Sequence, residues 1–183
     1  MSKNAIRKRI LSRRDALSAE EIASLSQEVA RHFLSSAPYA AASTLALYCS
    51  IRSEVATSGI FAAALQDGKR VLYPRTVGRT LEFVAVESLE ELEASRFGIC
   101  EPRHGEAFPL AKIDLIILPG VAFTDNGIRL GYGLGCYDRA LAEGRRPPLL
   151  GLAYDFQVVA ALPQEEHDVP VDFIVTDRKI LSM

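Results

Sequence analysis

The sequence predicts an α/β fold in which a mostly parallel sheet is covered on both faces. Short apolar runs of strand length alternate along the chain with segments of helical periodicity, the pattern of repeated βα units. The chain has 183 residues and shows no repeat, low-complexity tract or linker, so one domain spanning residues 1–183 is expected. A chain of this size can bury about 70% of the surface its unfolded form exposes, enough for a core without disulfide staples. Hydrophobic residues make up 49% and charged residues 24%, values of an ordinary globular domain and not of a disordered, collagenous or coiled-coil chain.

The elements follow in order. Ser2 to Leu17 reads as a basic helix whose apolar members are Ile6, Ile10, Leu11 and Leu17. Ser18-Ala19-Glu20-Glu21 is a capping box, and behind it Ile22, Leu25, Val29 and Phe33 recur at helical spacing until Ala37-Pro38 closes the helix. Thr44 to Cys49 reads as a strand that ends in a loop through Arg52, Ser53 and Glu54. Ser58 to Gln66 reads as a helix, and Arg70 to Tyr73 as a strand stopped by Pro74. Leu81 to Val86 is the next strand and Ser88 to Ser95 a small acidic helix. Ile113 to Leu118 is the most apolar strand, ended by Pro119-Gly120. A short helix over Tyr137 to Glu143 has Gly144 past its end. A strand over Leu149 to Ala153, a helical turn over Val158 to Leu162 and a last strand over Phe173 to Val175 complete the chain.

Charge and cysteine usage narrow the function classes. Lys plus Arg is 21 and Asp plus Glu is 23, a formal charge of −2. A duplex-binding protein carries a basic excess, so no nucleic-acid partner is expected. No apolar run approaches the 18 residues of a membrane span, and the basic start lacks the apolar core of a secretory signal. Cys49, Cys100 and Cys136 are an odd count without metal-ligand spacing, which points to a reducing, cytoplasmic home. The positive charge is uneven: Lys3, Arg7, Lys8, Arg9, Arg13 and Arg14 all precede the first acid, Asp15.

The stretch between the strand at Ile113–Leu118 and the helix at Tyr137 is the richest in chemistry. Asp125-Asn126-Gly127 is a turn signal, and Gly131, Gly133 and Gly135 then alternate just before a helix start. Glycines permit close backbone approach, and N–H groups ahead of a positive helix end make a phosphate site. Arg129 and Arg139 flank the loop. A tight turn without a ligand is the plainer alternative. The loop is not a Walker A motif, since no Gly-Lys-[Ser/Thr] is present, and it begins about a dozen residues after its strand, too late for a dinucleotide turn. Asp138, in the first turn of the following helix, either favours the helix dipole or, beside bound phosphates, holds Mg²⁺. His167-Asp168 could supply a second carboxylate.

Leu118-Pro119-Gly120-Val121-Ala122-Phe123, then Gly127, then Arg129-Leu130-Gly131-Tyr132-Gly133, Gly135 and Tyr137-Asp138-Arg139 closely resembles the signature of the 5-formyltetrahydrofolate cyclo-ligase family. The likeness extends to the basic start, Glu54, Glu101-Pro102, Asp155, Gln157, Leu162-Pro163, His167-Asp168 and Val171-Asp172. It implies a three-layer α/β/α sandwich and an enzyme that turns ATP and 5-formyltetrahydrofolate into ADP, phosphate and 5,10-methenyltetrahydrofolate. By the same resemblance the nucleotide would lie on Lys3, Asn4, Ala5, Ile6 and Arg7 and on the loop Arg129, Leu130, Gly131, Tyr132, Gly133, Leu134, Gly135, Cys136 and Tyr137. Arg129 and Asp138 would be catalytic, Asp138 and Asp168 would hold Mg²⁺, and Cys49 and Glu54 would face the reduced folate. Both partners would be small molecules, and the protein a monomer or weak homo-oligomer. The chain departs from the family pattern at Thr124, Leu134 and Cys136. The readings left beside this one are a paralogue acting on another formamide, or binding folate without turnover, and a sugar-phosphate isomerase or other phosphate-ligand protein on a similar fold.

Overall fold

The computed structural model describes residues 1–95, 98–142, 146–165 and 168–183. Three helices lead the chain: α1 (Lys3–Asp15), α2 (Ala19–Leu34) and α3 (Ala37–Ala41). Strand β1 (Thr44–Ala46) is followed by α4 (Ser58–Gln66) and the hairpin of β2 (Arg70–Val77) and β3 (Thr80–Ala85). Then come β4 (Leu92–Ala94), β5 (Cys100–Pro102), β6 (Ala107–Phe108) and β7 (Leu115–Leu118). The hairpin of β8 (Ala122–Phe123) and β9 (Arg129–Leu130) precedes α5 (Cys136–Leu141), and β10 (Leu149–Leu152), β11 (Phe173–Val175) and β12 (Ile180–Ser182) end the chain.

Eight strands form the central sheet in the order β12-β11-β10-β7-β1-β2-β3-β6. The five inner strands from β11 to β2 pair in parallel, while β12, β3 and β6 add antiparallel edges. Alternation within the buried strands feeds two cores. Leu115 and Ile117 of β7 point with Leu45, Val71 and Leu150 into a core closed by Val29 and Phe33 of α2 and Ile60 and Phe61 of α4. Ile116 and Leu118 point the other way, with Ala46, Leu72 and Ile174, against Leu141 of α5 and the Phe123 ring. This is the expected α/β/α sandwich around a mostly parallel sheet. A third cluster seats α1 through Ile6 and Ile10 on Val121, Ala122 and Leu130.

Several local expectations are corrected. Pro38 does not simply close α2; it sits in the first turn of α3, where its missing N–H costs nothing. Pro74 does not stop β2. The Val86 N–H to Val71 O bond sets the alternation of the β2–β3 ladder, which turns the Pro74 nitrogen away from β3, on the side where β1 has already ended. Ser88 to Ser95 is not a helix: Ser88 caps one tight turn over Leu89–Glu91, and Leu92–Ala94 then pairs with Cys100–Pro102. The turn expected at Val158 to Leu162 forms earlier, at Asp155–Gln157, because Val158 then pairs with Phe123 in extended form and the Val159 N–H donates to Phe123 O. Phe173–Val175 is followed by β12, folded back on it through Ile174 and Leu181. The helix expected over Tyr137 to Glu143 runs over Cys136–Leu141; Glu143 and Gly144 lie outside the described residues.

From β1 the chain moves one way to β2, whereas β7, β10 and β11 extend the sheet the other way. The carboxyl ends of β1 and β7 therefore meet at a topological switch point, where open α/β sheets form their ligand crevice.

Candidate active site

A cavity of about 1000 Å³ opens at that switch point. This is the upper end of the roughly 300–1,000 Å³ range of small-molecule pockets. One end is walled by α1 and the glycine loop, the other by the segment after β1 together with Pro74, Thr76 and Glu101.

Helical periodicity puts Lys3, Asn4 and Arg7 of α1 on the cavity side. The adjacent stripe, Ile6 and Ile10, is buried. Arg7 Nε donates to Gly131 O at 2.8 Å, and its guanidinium lies over Gly133, 3.5 Å from where a Cβ would stand. Gly133 and Gly135 have φ of +106° and +63°, values that L side chains rarely adopt, so the loop could not keep this path without them. Arg139 wraps the far side, donating to Leu134 O at 2.5 Å. The loop is thus a backbone cradle with a guanidinium on each flank.

Arg129, at the root of the loop, is 6% exposed in its side chain and pairs with Asp138, Nη2 to Oδ1, at 2.9 Å. Its Nε is buried without a hydrogen-bond partner among the described residues. An orphaned donor on a buried cation at a cavity wall suits an anionic ligand. Asp138 Oδ1 also accepts the Val169 N–H, the backbone donor one residue past Asp168. Asp168 Oδ2 accepts from Lys3 Nζ at 2.8 Å. Burial alone would lower the Lys3 ammonium, but Asp168 and Glu165 hold its pKa above the ordinary value. No group of three His, Cys, Asp or Glu side chains able to hold a metal occurs among the described residues. Two carboxylates are the protein share of a Mg²⁺ site completed by phosphate oxygens, so the donor set fits a cation that arrives with a nucleotide.

At the other end, Glu54 is 5% exposed. A tight turn aims it: Glu54 N–H donates to Ile51 O, Ile51 N–H donates to Glu54 Oε2 at 2.9 Å, and Arg52 between them takes a left-handed φ of 51°. Burial pushes the Glu54 carboxyl above its ordinary pKa, while the Ile51 N–H, the Arg14 charge and the Tyr132 hydroxyl pull it back. Cys49 lines the same end, its thiol pushed up to about 11, mainly by burial. A thiol so raised is no nucleophile near neutral pH.

The fold brings together Lys3, Asn4, Arg7, Cys49, Glu54, the loop from Arg129 to Tyr137, Asp138 and Asp168. Ala5 and Ile6, expected with them, do not line the cavity: Ala5 is exposed, and Ile6 seats α1 against Val121, Ala122 and Leu130. His167 lies outside the described residues. Sequence reasoning missed Tyr48, Ile51, Arg79, Ile99 and Glu165 in the wall and Arg14 behind it. Arg14 alone had a signal: it belongs to the basic start that shares the resemblance, and it is a cation between Ile10 and Leu17 on the apolar side of its helix.

Comparison with known proteins follows the same lines. The profile of the 5-formyltetrahydrofolate cyclo-ligase family matches residues 1–177. The 5-formyltetrahydrofolate cyclo-ligase of Escherichia coli is 35% identical over 179 residues, covering 93% of this chain and 98% of that protein. The solution structure of Aquifex aeolicus 5,10-methenyltetrahydrofolate synthetase superposes with a TM-score of 0.89 at 37% identity, covering 100% of this chain and 93% of that one. The Mycoplasma pneumoniae 5,10-methenyltetrahydrofolate synthetase structure gives a TM-score of 0.78 at 33% identity, covering 97% and 99%.

Proposed function

The chain belongs to the 5-formyltetrahydrofolate cyclo-ligase family, and from that premise we propose that it uses ATP to close 5-formyltetrahydrofolate to 5,10-methenyltetrahydrofolate, releasing ADP and phosphate. The observation that carries the reading is the division of one cavity: a cationic backbone cradle with the carboxylates of Asp138 and Asp168 at one end, a buried carboxylate at the other.

The chemistry needs both ends. A formamide oxygen is a poor leaving group. Attack of that oxygen on the γ-phosphorus breaks the bond to ADP and leaves an iminium phosphate at N5. N10 then attacks the activated carbon, loses its proton, and expels phosphate as the ring closes. No enzyme nucleophile is required, so catalysis rests on positioning and charge stabilisation. Arg7, Arg129 and Arg139 face the polyphosphate in this reading, with Lys3 beside them. Asp138 and Asp168 would hold Mg²⁺ from the protein side, and it would supply charge neutralisation on the phosphates. Arg129, braced by Asp138, presents its guanidinium where charge builds on the transferring phosphoryl group. Glu54 accepts the paired N–H donors of the pterin.

Mixing the protein with Mg·ATP and 5-formyltetrahydrofolate tests this directly. The expected result is the absorbance of methenyltetrahydrofolate, growing only when ATP is present. Absorbance independent of ATP, or folate binding without any absorbance change, overturns the proposal.

A further inference from the structure

Arg14 has no role in the chemistry above, yet it is among the most completely buried side chains of the protein, at 1% exposure. It leaves the last turn of α1 and reaches two other segments. Its Nε donates to Ser53 Oγ at 3.1 Å, and Ser53 in turn donates to Asp15. Its Nη2 donates to the Tyr132 hydroxyl. That hydroxyl also faces the Glu54 carboxylate and favours its charged form, and both side chains line the same cavity. A phenol that accepts from a guanidinium is a polarised donor toward a carboxylate. The result is a chain from Arg14 through Tyr132 to Glu54.

Tyr132 sits in the middle of the glycine loop, between Gly131 and Gly133, and is 38% exposed. Both ties described for its stretch of the loop lead to α1: Gly131 O to Arg7, Tyr132 to Arg14. One side chain thus touches the cradle for one ligand through its own backbone and the carboxylate for the other through its hydroxyl. Moving the loop moves the hydroxyl, and with it one of the groups that orient Glu54.

We propose that Tyr132, held by Arg14, is a positioning residue that couples the two ends of the cavity, so that nucleotide seated in the glycine loop fixes Glu54 and tightens the binding of reduced folate. By linkage, folate tightens nucleotide by the same factor. The inference rests on the two-ligand reading above but does not follow from it, since two ligands in one cavity can bind independently.

Equilibrium titration with 5-formyltetrahydrofolate, with and without saturating Mg²⁺ and a non-hydrolysable ATP analogue, measures the coupling. In the wild type the analogue should tighten folate at least about fivefold, the lower end of ordinary coupling. In Tyr132→Phe, which keeps the ring and removes the hydroxyl, that ratio should fall to about one. Arg14→Lys keeps the charge but loses the rigid planar fork that spans Ser53 and Tyr132, and its ratio should fall as well. A merely structural role would weaken each ligand alone and leave the ratio standing. A wild-type ratio near one, or a wild-type ratio retained in Tyr132→Phe, overturns the coupling. A wild type that binds neither ligand sinks the two-ligand reading and the coupling with it.

Discussion

At the scale of single residues, Glu54 is where burial and charge oppose one another most directly. Its pKa is raised in the folded protein, chiefly by burial. A group raised on folding contributes stability below its unfolded pKa and loses that contribution as pH rises through the folded value. Near neutral pH the charged form of Glu54 is thus disfavoured by its burial in the fold. Glu54→Gln should raise the melting temperature near neutral pH and flatten its rise toward acid, while weakening folate binding more than ATP binding. Melting curves across pH and separate ligand titrations check this; an ATP-only defect would refute the assignment. Asp138 faces the reverse situation, because its carboxylate compensates a buried guanidinium. Asp138→Asn keeps an acceptor for the Val169 N–H but leaves Arg129 uncompensated and removes the carboxylate proposed to hold Mg²⁺. Turnover should fall at least about tenfold, given that such charge stabilisation is worth several kcal/mol, with folate binding retained. Unchanged ATP-dependent turnover would remove Asp138 from the site.

At the scale of elements, α1 resolves the puzzle of six cations without an intervening acid. They do not share one solvated face. Lys3 meets Asp168, Arg7 meets the glycine loop, Arg13 lies over the Phe156 ring at 4.3 Å, and Arg14 is buried. The helix is a strap across the cavity, anchored by Ile6 and Ile10 and by little else of apolar character. Arg7→Ala should therefore raise the apparent KM for ATP with little change in melting temperature. A lost charge-assisted contact is worth about 1.5–3 kcal/mol, roughly 10- to 150-fold in affinity. Lys3→Ala should do the same more weakly, since chain ends fray. ATP titrations that overlay on wild type would return the strap to a purely structural part.

At the scale of the whole molecule, the Phe123 ring is the wedge that fits the site-bearing hairpin to the sheet. A Cβ on Gly120 would stand 2.4 Å from the Phe123 Cζ, and one on Gly151 of β10 would stand 2.4 Å from its Cε1. The ring is fully buried between two bare backbone surfaces, and Gln157 Nε2 bonds to Gly120 O and Val121 O, both at 2.9 Å, from beside it. Gly151→Ala has no flexible neighbour to displace and should cost about 1–3 kcal/mol by overpacking. Chemical denaturation measures it, and Phe123→Leu in the same background should recover part of the loss. Full stability in Gly151→Ala would mean that the hairpin does not depend on this contact.

Order along the chain was enough to determine the α/β class, the span of α4, the capping box of α2, the apolar run that becomes β7 and the glycine loop with its flanking arginines. Each rests on neighbours in sequence: periodicity, caps, and glycines where φ turns positive. The same local logic failed where a distant partner outweighed it, as at Pro74, whose nitrogen faces a side vacated by β1, and at Leu92–Ala94, drawn into a strand by Cys100–Pro102. Asp155 and Gln157 were visible as recurring residues, but their work in bracing Gly120 and β11 appears only when segments far apart in the chain are packed together. Arg14 is the clearest case. Its sequence position says only that a cation lies on an apolar stripe. Its partners, Ser53 and Tyr132, are 39 and 118 residues away. Only tertiary packing brings those groups within hydrogen-bond reach, because the free energy that buries a guanidinium comes from partners that no local stretch of sequence contains.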